Sequence, residues 1–151
     1  MFKPIVIPID LEEPQFSDQA IALALREVDR DGGKLHLMTV IPGFSSPLVA
    51  SYFKKSAVEK AHQAVEQHLI DFTQQQLPDG IARTLSVHQG NPAERIVKQA
   101  KRVGADLIIM TAHHRGKVDH ALLGSNSARV VERAACSVLV LRPGALDPAD
   151  G

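Results

Sequence analysis

The chain has 151 residues, 44% of them hydrophobic, enough for one compact domain with a substantial core. Its 17 Lys and Arg balance 17 Asp and Glu, so no global field draws it to nucleic acid or an anionic membrane, and no apolar run is long enough to span a bilayer. The opening MFKPIVIPID lacks the features of a secretion signal, and Cys136 is the only cysteine, which excludes an internal disulfide and a thiolate metal cluster; a cytoplasmic protein is expected.

Residues 3–9, KPIVIPI, form an apolar β-branched run that ends at Asp10, the pattern of a buried parallel strand. From Ser17, a candidate N-cap, Ala20, Ile21, Ala24, Leu25 and Val28 recur at helical spacing until Gly32-Gly33 stops them. Residues 34–41 read as a second strand, broken by Pro42-Gly43. Val58, Ala61, Val65, Leu69 and Phe72 mark a long amphipathic helix over about residues 49–77. Residues 82–88, ARTLSVH, alternate as a half-exposed edge strand does. Asn91-Pro92 then opens a helix, with Asn as cap and Pro at the first helical position, and Ile96, Val97 and Ala100 toward the core. The most apolar run, residues 106–111, predicts a central strand, followed by a helix over residues 125–134 and a last strand over residues 137–142.

Five strands alternating with four helices predict an α/β fold: a single doubly wound domain with a five-stranded parallel sheet. The domain is expected to span residues 1–143, with a flexible tail at 144–151.

Ligands of such sheets bind beyond the carboxyl ends of the strands, where the winding direction switches. The loop after the first strand carries Asp10, Glu12 and Glu13 and no glycine, so it is neither a P-loop nor a dinucleotide-binding turn. Asp10 there is either a loop-capping residue or an acceptor for a ribose hydroxyl or base amine. After the fourth strand come His113, His114, Arg115 and Lys117, and then Gly124, Ser125, Asn126 and Ser127 at a helix start. Bare glycine, unpaired first-turn amides and the helix dipole suit an anion, though Gly-Ser is also an ordinary way to begin a helix. Adjacent histidines diverge on extended backbone and no third ligand follows, so no metal is expected. Cys136 reads as a small buried hydrophobe.

The opening PIVIPID, the strand LHLMTVIP, the run ADLIIMTAHHR and the segment LLGSNSARVVERAACSVLVLR, in that order, resemble the universal stress protein family over residues 2–143. Nucleotide-binding members of that family carry Gly, two residues, Gly, nine residues, then Gly and Ser or Thr. The matching positions here are Thr111, His114, Gly124 and Ser125, so the spacing is kept while the first two glycines are replaced. The resemblance implies that Asp10 meets the ribose or adenine, that Pro8 and Ile9 line the base pocket, and that Val40 and Met110 pack on adenine. It also implies that the phosphates are held by His113, Arg115, Gly124, Ser125, Asn126 and Ser127, with Thr111 and His114 at the altered motif positions.

The expected function is an adenine-nucleotide-binding regulatory protein of the stress response that holds ATP, AMP or ADP, with Mg as companion ion. It is expected to form a homodimer through the last strand and to act on a protein partner that the sequence does not identify. A nucleotide-free dimeric scaffold is the alternative. No catalytic residues are expected: an adenylyl transferase of related fold needs a His-x-Gly-His or Gly-rich turn after the first strand, and DLEEPQ supplies neither.

Overall fold

The computed structural model describes residues 4–42, 55–112 and 124–142. Its five strands are β1 (Ile5–Pro8), β2 (Leu35–Pro42), β3 (Arg83–Gly90), β4 (Leu107–Thr111) and β5 (Ser137–Leu141). Among the described residues there are four α-helices: α1 (Asp18–Asp31), α2 (Lys55–Gln76), α3 (Pro92–Val103) and α4 (Ser125–Arg133). All strand pairs are parallel and the order is β3-β2-β1-β4-β5, the doubly wound sheet expected from the alternation of apolar runs and helical patterns.

β1 lies at the centre because its short apolar run buries on both faces. Ile5, Val6 and Ile7 are all fully buried, each worth about 1.5–3 kcal/mol relative to exposure. Alternation along the strands then sorts the core into two layers. Ile5, Ile7, Leu35, Leu37, Leu107 and Ile109 pack against Ala20, Ile21, Ala24 and Val28 of α1 and Leu69 and Phe72 of α2. On the other face Val6, Met38, Ile108 and Met110 pack against Ala93, Ile96 and Ala100 of α3 and Val130 of α4.

Helix ends follow local chemistry closely. α1 stops at Gly32, whose φ of 66° is left-handed and whose N–H reaches the Val28 carbonyl. Asn91 caps α3 by accepting a hydrogen bond from the Glu94 N–H at 3.1 Å, with Pro92 in the first turn. Ser17 differs from expectation. A short 3₁₀ turn over Pro14–Ser17 precedes α1, so Ser17 already has helical dihedrals, its side chain makes no capping bond, and it is buried. Pro42 ends β2 as its last rung opposite Gly90 rather than breaking it earlier. In α3 Val97 is only half-buried, and Gln99 takes the inward place beside Ile96 and Ala100. The expected start of the second helix, residues 49–54, and the tail at 144–151 lie outside the described residues.

The second core layer is not wholly apolar. His36, on the β2 face turned to α3, is only 3% exposed. Its Nδ1 is 2.7 Å from Thr84 Oγ1, and its Nε2 is 2.8 Å from Ser86 Oγ and 3.1 Å from Gln99 Nε2. Burial, helped by His88 and Lys34, pushes the His36 pKa down from 6.5 to about 4. The folded protein therefore resists protonation that the unfolded chain accepts at pH 6.5. The neutral imidazole stabilises the fold fully above that pH, and the stabilisation is lost as the pH falls toward 4, by about 3 kcal/mol over the whole window. Urea unfolding at pH 7 and pH 4.5 should show wild type losing more stability than His36→Leu over that interval. Equal losses would mean that His36 does not titrate with unfolding.

Candidate functional site

The sheet winds in opposite directions from β1: one way to β2 and β3, the other to β4 and β5. Each crossover helix runs antiparallel to the strands it joins, so the β1 exit, the β4 exit and the N-terminus of α4 share the carboxyl edge of the sheet. The crevice between β1 and β4 at that edge is where a ligand of this fold sits.

The β1 exit is tightly held. The Ile9 N–H donates to the Met38 carbonyl at 2.7 Å, and the Thr39 hydroxyl donates to the Ile9 carbonyl at 2.8 Å. Asp10 then turns the chain: its Oδ1 accepts the Glu12 N–H at 3.0 Å and its carbonyl accepts the Glu13 N–H at 3.1 Å. The loop-capping role weighed for Asp10 is thus present.

Pro8 closes β1 half-buried, and Ile9, 4% exposed, packs toward α1. Val40 is half-buried and Met110 buried, both on the sheet face covered by α3 and α4. Pro8 and Ile9 therefore point to opposite faces, and Val40 and Met110 share one. At the β4 exit Ala112 is anchored by its N–H to the Leu141 carbonyl at 2.8 Å. The Thr111 hydroxyl is buried with no hydrogen-bond partner among the described residues. His113, His114, Arg115 and Lys117 lie outside those residues.

Gly124 begins α4 with φ −60° and ψ 154°, and its carbonyl accepts the Ala128 N–H at 2.9 Å. Any residue adopts those angles, so backbone conformation gives no reason for a glycine. Ser125 and Asn126 are exposed at the helix start, whereas Ser127 is buried and turned into the fold beside Val130.

The Universal stress protein family model matches residues 1–142. This chain belongs to the universal stress protein family. It is 28% identical over 148 residues to universal stress protein G of Shigella flexneri, covering 94% of this chain and all of the relative. A universal stress protein solved in complex with cAMP superposes with a TM-score of 0.61 at 21% identity, covering 93% of this chain and 96% of the other. The universal stress protein of Archaeoglobus fulgidus in complex with dAMP gives 0.61 at 17% identity, covering 91% and 96%. These similarities support the expected fold over nearly the whole length. Among the described residues no helix is long and apolar enough to cross a membrane, and no group of three or more His, Cys, Asp or Glu converges as metal ligands would.

One feature of this universal stress protein was not read from sequence: the polar column of His36, Thr84, Ser86, His88 and Gln99 between β2, β3 and α3. The signal was the period-two Thr84, Ser86, His88, taken for the wet face of an edge strand. Thr39→Val tests the scaffold of the site, since it removes the only side-chain bond holding the Ile9 carbonyl among the described residues. Loss of this buried bond should lower the unfolding free energy by about 1–3 kcal/mol, measured by urea denaturation. An unchanged midpoint would show that the β1 exit does not depend on it.

Proposed function

We propose that this protein binds an adenine nucleotide, with ATP the first candidate, across the carboxyl edge of β1 and β4, and that the bound state serves a regulatory role in the stress response. The observation that carries the reading is Gly124: a glycine at a helix start, in a conformation that does not require one, beside the crevice where the winding reverses. A bare Cα there lets a phosphate approach the first amides of α4 at the positive end of its dipole. The Thr111 hydroxyl, without a partner among the described residues, is a second polar group at the same edge, suited to a ribose or phosphate oxygen. Asp10 on the opposite lip suits donors, the ribose hydroxyls or the base amine. Binding of cAMP and dAMP by proteins of the same fold supports an adenine ligand.

In this reading Pro8, Ile9, Val40 and Met110 shape the base end, while Ser125, Asn126 and Ser127 join Gly124 and the segment of His113, His114 and Arg115 at the phosphates. Ser127 acts through its backbone amide, because its side chain is buried. Mg²⁺ would be carried by the phosphates. The protein acts as a binding module rather than an enzyme.

The regulatory unit is proposed to be a homodimer joined along β5. That strand lies at the sheet edge, and Leu139 is 41% exposed. Because the Leu141 carbonyl bonds the N–H of Ala112, just past β4, alternation turns the N–H and carbonyl groups of Val138 and Val140 outward. A second β5 would satisfy them.

Calorimetry with ATP tests the site: Gly124→Val should abolish detectable binding while leaving the thermal melt intact, and unchanged affinity would remove the phosphate assignment. Asp10→Ala should weaken adenosine and ATP alike, and a loss confined to ATP would place Asp10 at a metal instead. Val140→Pro removes an outward donor without breaking the β4–β5 ladder, so it should convert dimer to folded monomer by light scattering. A monomeric wild type at tens of micromolar, or a dimeric variant, would exclude the β5 interface.

A further inference from the structure

β3 and α3 bury less apolar surface than the centre of the fold. No residue of β3 is fully buried; every position from Arg83 to Gly90 is half-buried or exposed. α3 turns only Ala93, Ile96, Gln99 and Ala100 fully inward, and Ile96 is the one large apolar side chain among them. By contrast Ile5, Val6 and Ile7 of β1 are fully buried, and α1 brings Ala20, Ile21, Ala24 and Val28 into the core. Thin apolar contact lets a segment open without the whole domain, so the polar ties of this corner decide how firmly it is shut.

Those ties meet at His36. Its two ring nitrogens lie 2.7 Å from Thr84 Oγ1 and 2.8 Å from Ser86 Oγ, both on β3, and the second also lies 3.1 Å from Gln99 Nε2 on α3. One buried imidazole thus joins β2 to β3 and to α3, whichever nitrogen carries its proton.

The charges that act on this ring are all of one sign. Lys34 on β2 and His88 on β3 face His36, while Arg95 and Arg102 of α3 and His62 of α2 act in turn on His88. β1 sets the apolar Val6 opposite His36. The one carboxylate of α3, Glu94, is exposed and paired with Lys98 at 3.1 Å. An imidazolium at His36 would therefore be a buried cation among cations, a cost that is relieved when the corner opens and water reaches the ring.

We propose that His36 is an acid-sensitive tie, and that on acidification the corner of β3 and α3 opens before the rest of the domain unfolds. The inference does not depend on the nucleotide reading. The neutral ring holds the corner shut above pH 6.5, and the hold weakens as the pH falls toward 4.

Hydrogen exchange followed by NMR on the full chain at pH 7 and pH 4.5 tests this, with each amide's rate divided by its intrinsic rate at that pH. Protection in α3 and β3 should fall by roughly fiftyfold, while protection in β1 and α1 holds. In His36→Leu the fall in α3 should shrink to a few-fold. A second readout needs no variant: in wild type the His36 ring ¹⁵N shifts should change over the same pH interval in which α3 loses protection. An even fall across β1, α1 and α3, no fall in α3, or an equal fall in His36→Leu overturns the proposal. So does a ring that titrates near pH 6.5 while α3 stays protected.

Discussion

The structure depends on β1 being dry on both faces and bonded on both edges. Three consecutive fully buried residues, Ile5, Val6 and Ile7, leave no place for the strand except the middle of the sheet, with β2 on one side and β4 on the other. Once β1 is central, right-handed crossovers send the chain outward in two opposite directions. The parting of the two halves is the crevice. The candidate site follows from the burial of a strand that carries no functional group of its own.

Local signals were legible wherever they were self-sufficient. Asn91-Pro92 as the start of α3 and Gly32 as the end of α1 need only their own dihedrals and one backbone bond, and both were readable from residue types. The parallel doubly wound sheet, the edge position of β3 and the family resemblance were legible too. Ser17 was misread as a side-chain cap because nothing in its neighbours distinguishes a cap from the last residue of a 3₁₀ turn. Pro42 was read as a breaker, yet a terminal rung tolerates the missing N–H.

The polar column was hidden for a different reason. Thr84, Ser86 and His88 look like the wet side of an edge strand, and Thr84 does stay exposed, while His36 looks like an ordinary interruption of an apolar strand. Only the β2–β3 register and the inward turn of Gln99 bring the five side chains together. In the site itself Asp10 and Gly124 stood out by residue type, but the conformation of Gly124, which separates a need for space from a need for torsional freedom, is visible only in three dimensions.

Greasy contacts between a helix and a sheet are tolerant of small slides, because methyl groups trade neighbours at little cost. The Gln99–His36 bond is not, since a shift of one ångström along the helix axis would break it. α3 is therefore keyed lengthwise onto β2, like a bolt dropped into a hasp, and the short corner at Gly90-Asn91 that leads into it inherits that fixed height. The rim of the crevice on the β3 side has a set elevation, and its precision comes from polar groups that a purely oily core would have lacked.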